Sequence, residues 1–76
     1  MNQERRDKIE LVRGAIENAK STVEELRDEE QDYFDAMPEG LQGGEKGENA
    51  QEAVDQLDAA INSLEAAIDS LDEAKV

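Results

Sequence analysis

Two tracts of apolar residues at alternating three- and four-residue spacing, parted by one glycine-rich stretch, limit what this chain can fold into. In the first, Ile9, Val12, Ile16, Ala19, Val23, Leu26, Tyr33 and Met37 keep the spacing with one interruption at Glu30. In the second, Ala50, Val54, Leu57, Ile61, Leu64, Ile68 and Leu71 keep it unbroken. Such spacing gathers side chains into a single stripe along a helix, so each tract reads as a coiled-coil helix that must bury its seam against another.

The stretch between them, YFDAMPEGLQGGEKGEN, holds the only Tyr, Phe and Pro of the chain and four of its five glycines. Pro38 disfavours helical geometry at Met37, which ends the first helix, expected over about 3–36. Asn49 followed by Glu52 fits a capping box and starts a second helix over about 49–75, leaving 37–48 as the turn. The expected fold is all-α: one antiparallel, coiled-coil-like hairpin domain over residues 1–76.

A turn near residue 40 makes facing residues add to about 80. With Ile9 as heptad position a and Val12 as d, the layers are Ile9–Leu71, Val12–Ile68, Ile16–Leu64, Ala19–Ile61, Val23–Leu57 and Leu26–Val54. The e positions of the first helix, Arg6, Arg13, Lys20 and Arg27, are all basic, and those of the second are Gln51, Asp58, Glu65 and Asp72. Arg6–Asp72, Arg13–Glu65 and Lys20–Asp58 are therefore the expected ion pairs. Each contributes only about 0.2–1 kcal/mol at a surface, but together they specify orientation. The g positions of the second helix, Ala53, Ala60, Ala67 and Ala74, are all alanine, with Ala59 and Ala66 beside them and Gly14, Ala15 and Thr22 on the first helix. A two-helix unit has little core, so self-association into a homo-oligomeric bundle is expected.

Composition narrows the chemistry. The chain has no Cys and no His, which removes disulfides, thiol nucleophiles, imidazole bases and the usual zinc ligands. With 21 acids against 8 bases its net charge is −13, opposed to direct nucleic-acid binding and to anionic membranes. No apolar run approaches the roughly 20 residues that span a bilayer, and no signal-peptide core is apparent. A cytoplasmic protein is expected, in the bacterial host if the chain is phage-encoded.

The acids are unevenly placed. Residues 24–52 hold eleven of them against Arg27 and Lys46, a net charge of −9. This pole reads as a solvated surface, as a surface for a basic protein site, or as a cation site, although no EF-hand spacing occurs. The pairs Glu25/Asp28, Glu29/Asp32, Glu45/Glu48 and Asp69/Asp72 resemble magnesium-binding pairs of all-α pyrophosphohydrolases, but so acidic a chain contains such pairs by chance. Ser21, Ser63 and Ser70 have no evident base, and GLQGGEKGE lacks the Ser or Thr of a P-loop. No catalytic residue, metal site or cofactor is expected. Tyr33 and Phe34 either cap the core beneath the turn or form an aromatic binding spot in an acidic rim.

The run RDEEQDYFDAMPEGLQGGEKGENAQEAVDQLDAAI resembles a segment of short acidic proteins encoded by tailed bacteriophages. The elements that carry the resemblance are Asp28–Gln31, Phe34, Met37–Gln42 and Lys46–Glu48. It implies a helical hairpin of phage origin, and by analogy an accessory protein that inhibits a host defence protein. The expected function is thus binding, through the acidic turn, to a host protein with a basic surface. Phe34, Met37, Pro38, Leu41, Gln42 and Lys46 are the candidate contacts, with Glu39, Glu45 and Glu48 around them. Two alternatives stand beside it. One is an oligomeric sponge that sequesters a small nucleotide signal, using Arg6, Arg13 or Lys46 for phosphate and Tyr33 or Phe34 for stacking. The other is a structural assembly module.

Overall fold

A computed structural model describes residues 1–76 and is helical throughout, with no strand. Helix α1 spans Gln3–Asp35, a single turn α2 spans Glu39–Gln42, and α3 spans Glu45–Ala74. Its Cα atoms extend 58 Å along the longest axis and 14 and 12 Å across it. No helix is long and apolar enough to cross a membrane.

Local chemistry explains the element ends. The Asn2 side chain accepts from the Arg5 backbone N–H at 2.8 Å and so caps α1. At the other end Ala36 remains right-handed, no residue has positive φ, and Pro38 prevents continuation. The Pro38 carbonyl accepts from the Leu41 and Gln42 N–H groups, which makes α2. Helix α3 then starts at Glu45, not at Asn49 as the capping box implies. Gly44 takes the N-cap position with extended backbone, and Glu45 and Glu48 set negative charge against the positive end of the helix dipole. The span 37–48 is therefore a helical turn and the first residues of α3, not one open loop.

Close packing at Gly47 secures this early start. A Cβ placed there would lie 1.9 Å from the Gln42 carbonyl oxygen and 2.4 Å from its carbon. Only glycine lets α3 approach the backbone of α2 so closely.

Four cross-helix ion pairs show that α3 runs opposite to α1. They are Glu10–Lys75, Arg13–Asp72 at 2.7 Å, Lys20–Glu65 at 3.1 Å and Arg27–Asp58 at 2.9 Å. The e positions do face one another, but each basic residue meets the carboxylate one heptad beyond the expected one. Arg13 takes Asp72 in place of Glu65, and Lys20 takes Glu65 in place of Asp58. Arg6 forms no ion pair. The cause is the lean of helical side chains towards the N-terminus of their own helix. In antiparallel helices those leans converge between residues whose numbers add to more than the backbone register. Met1 donates to the Val76 carbonyl, and Tyr33 and Lys46 line one cleft, pairs adding to 77 and 79. The backbone level thus stays near 80 while the ion pairs add to 85.

The helices share the core unequally. Ala50, Val54, Ile61 and Ile68 of α3 are buried together with Gly47, and α1 has no fully buried residue. Moreover, α1 turns its a and e positions inward. Ile9, Ile16, Val23 and Met37 are half-buried, as are Arg13, Lys20, Arg27 and Phe34. The side chains of Arg13, Lys20 and Arg27 are only 26–31% exposed, because their methylene stems lie across α3. The d positions expected in the seam roll outward instead: Val12, Leu26 and Tyr33 are 50, 47 and 51% exposed.

Two glycines test this packing in opposite directions. Gly47→Ala should cost about 2 kcal/mol or more, lowering the thermal midpoint by roughly 10 °C, because backbone atoms must move. Gly14→Ala, with nothing within 4 Å of the added carbon, should gain about 0.5–1 kcal/mol. Thermal unfolding followed by circular dichroism reads both.

Candidate binding cleft at the helical turn

Rotation of α1 onto its e positions shapes the turn end of the molecule. Tyr33 stays half exposed, and with Met37, Leu41, Gly44, Glu45 and Lys46 it encloses a half-open cleft of about 300 Å³. That volume lies at the small end of the range for ligand sites, about 300–1,000 Å³. Tyr33 and Leu41 stay 51 and 58% exposed, so apolar surface faces water here. Around it the last turn of α1 and the first turns of α2 and α3 bring exposed carboxylates, among them Asp32, Asp35, Glu39 and Glu48. No three of them converge as a metal-ligand cluster.

Of the candidate contact residues, Met37, Leu41, Glu45 and Lys46 line the cleft together. Pro38 at the N-cap of α2, Glu39 on α2 and Glu48 on α3 are exposed. Phe34 and Gln42 are spent on the fold. The Gln42 side-chain amide donates to the Phe34 carbonyl at 3.2 Å, beside the Met37 N–H that the same carbonyl accepts, at the end of α1, which has no basic residue in its final turn. Phe34 itself is half-buried at an e position. Gly44 and Tyr33 are the cleft residues outside the candidate contacts; Tyr33 sits at heptad position d, read either as a cap on the core or as part of an aromatic binding spot. The signal for its true place is the unbroken basic e row, whose stems pull α1 around.

At the opposite end the ion pairs tie the helices together. Arg13 binds Asp72 through two hydrogen bonds, Nε to Oδ1 at 2.7 Å and Nη2 to Oδ2 at 3.2 Å. This contact, with Lys75 as a lesser partner, holds the Asp72 carboxyl below its ordinary pKa, while Asp72 raises that of Arg13. The hydrogen bond that Lys20 donates to Glu65 likewise raises the pKa of Lys20, and those to Asp58, then Asp28, raise that of Arg27. Arg13 is therefore engaged within the fold, as are Lys20 and Arg27, whereas Lys46 forms no ion pair.

The chain matches no family model, no curated protein and no solved structure.

Because the folded-state pKa of Asp72 is depressed, its contribution to stability is full above the unfolded value near 3.9 and is lost as pH falls through the folded value. Asp72→Asn should lower the thermal midpoint at neutral pH. The gap between the two proteins should close as the pH is taken below the ordinary aspartate range. A gap that persists in acid would mean that Asp72 acts through something other than its charge.

Proposed function

We propose that the protein is a binding module that engages another protein at its turn end. The partner seats an apolar side chain between Tyr33, Met37 and Leu41 and sets basic groups against the surrounding carboxylates. The observation that carries this reading is the coincidence of exposed apolar surface with the densest negative charge of the chain. Half-exposed Tyr33 and Leu41 stand within a segment of net charge −9. An aromatic anchor in a cleft supplies affinity, and the charge around it selects the partner and speeds encounter. Acids in the last turn of α1 oppose that helix dipole, an arrangement that the hydrogen bond from Gln31 to Asp35 offsets only in part and for which a role at an interface would account.

On the resemblance to phage proteins, the partner would be a basic site on a host defence protein, which the acidic end would cover. A helical hairpin that presents its turn is a suitable frame, because the tip stands clear of the rest of the molecule. The nucleotide reading keeps one supporting feature, Tyr33 and Lys46 on the same cleft. Against it, Arg13 is bound to Asp72, and Glu45 on the cleft wall repels phosphate.

Three proteins separate these readings when immobilised and exposed to bacterial lysate: wild type, Tyr33→Ala/Leu41→Ser, and Glu39→Lys/Glu45→Lys/Glu48→Lys. A specific partner should be retained by wild type and lost by both variants, with helicity unchanged. Retention of the partner by both variants would sink the proposal. Calorimetry with cyclic nucleotides should give no binding heat; saturable heat lost in Lys46→Ala would favour the sponge instead.

A further inference from the structure

One long face of the molecule carries no charge, and its layout fits a second copy of the same chain. The ion pairs mark the e edge; the opposite edge presents positions c, d and g of both helices. From Asn49 to Ala74 every one of these positions on α3 is uncharged, and the seven acids of that span stand only at b, e and f. On α1 the same columns are uncharged from Leu11 to Thr22, with Leu11 76% exposed and Val12 half-exposed. In a chain of net charge −13, a face wiped clean of charge is where two such chains can meet without repulsion.

Its ends decide the geometry. The uncharged span of α3, 49–74, centres between residues 61 and 62, which the backbone level near 80 sets beside residues 18 and 19 of α1, within the uncharged span of that helix. About that level the flanking charges of α1 change sign. Glu4, Arg5 and Lys8 precede the face in columns c, d and g with a net charge of +1, Lys8 lying 3.4 Å from Glu4, and Glu25, Glu29 and Asp32 follow it in c, g and c with a net charge of −3. Turning a second copy end over end about a two-fold axis at this level sets Lys8 opposite the partner's Glu29 and Arg5 opposite the partner's Asp32. Leu11 then meets the partner's Leu26. All three contacts recur by symmetry, as a closed two-fold interface demands. The side-by-side alternative, with turns adjacent, would stack two poles of net charge −9.

The area agrees. The accessible surface is 5380 Å², whereas a compact monomer of this mass exposes about 4,600 Å². The excess, roughly 800 Å², matches one partner's share of a standard interface. A face of 26 residues of α3 beside α1 measures about 39 by 20 Å, close to the same figure. We infer that the protein forms an antiparallel two-fold dimer, a four-helix bundle closed through the c, d and g columns, with one turn-end cleft at each extremity. This goes beyond the proposed turn-end binding, and either can fail alone.

Sedimentation equilibrium across a wide concentration range tests the inference on the intact chain. The expected mass is twice 8.4 kDa. Leu11→Glu should give the single-chain mass with unchanged helicity, while Ala59→Glu, on the outer side of α3, should leave the dimer intact. Lys8→Glu and Glu29→Lys should each raise the dimer dissociation constant about tenfold, since the pair occurs twice. The double reversal Lys8→Glu/Glu29→Lys should restore it. These residues lie roughly 31 Å apart on one helix, so restoration has to act between chains. A single-chain mass for wild type at every concentration, single reversals without effect, or a double reversal that restores nothing would each overturn the dimer described.

Discussion

The arrangement depends on three basic side chains of α1 lying across α3. Arg13, Lys20 and Arg27 each join a methylene stem to a charged end, so one row supplies both apolar cover and an ion pair. Each exposed pair is worth little alone. Spaced one heptad apart, the three act on one rigid helix and rotate it as a unit. With α1 turned to its a and e positions, Val12, Leu26 and Tyr33 roll outward. The turn-end cleft and the uncharged long face both follow from that rotation.

The helices themselves were legible because their signal is periodic and local. The three-four spacing, Pro38 and the charge contrast between the two e rows lead to long antiparallel helices and to an acidic turn. What eluded sequence reading lies in the third dimension. Heptad lettering treats Arg and Lys as flanking residues, yet here their stems displace Val12, Leu26 and Tyr33 from the seam. Pairing by residue number ignores the lean of side chains, which is why every ion pair moved one heptad along. Asn49 looked like a helix start on local preference, whereas the actual start at Glu45 depends on the contact between Gly47 and Gln42, which no local preference encodes. Among the candidate contacts, Met37, Leu41, Glu45 and Lys46 were readable from the distinctive composition of the turn. Tyr33 was readable only as one of two alternatives, a cap on the core or an aromatic binding spot, because its d lettering puts it in the seam.

Charge placement organises the rest. A chain with this excess of acid has to put it where it does least harm to folding, and most of it gathers in residues 24–52. The e edge uses acids of α3 to hold the bases of α1. The opposite edge has none on α3. Such segregation gives each surface a distinct physical character: an ionic edge that joins the helices, a neutral face, and a negative end with apolar residues exposed within it.

Double-mutant cycles on Lys20 test the rotation and the lean together. Coupling between Lys20 and Glu65, measured from the stabilities of the two single variants and the double variant, should be about 0.2–1 kcal/mol, with none between Lys20 and Asp58. Coupling to Asp58 and none to Glu65 would place the side chains in the unshifted pairing and contradict the account from the packing of α1 upward.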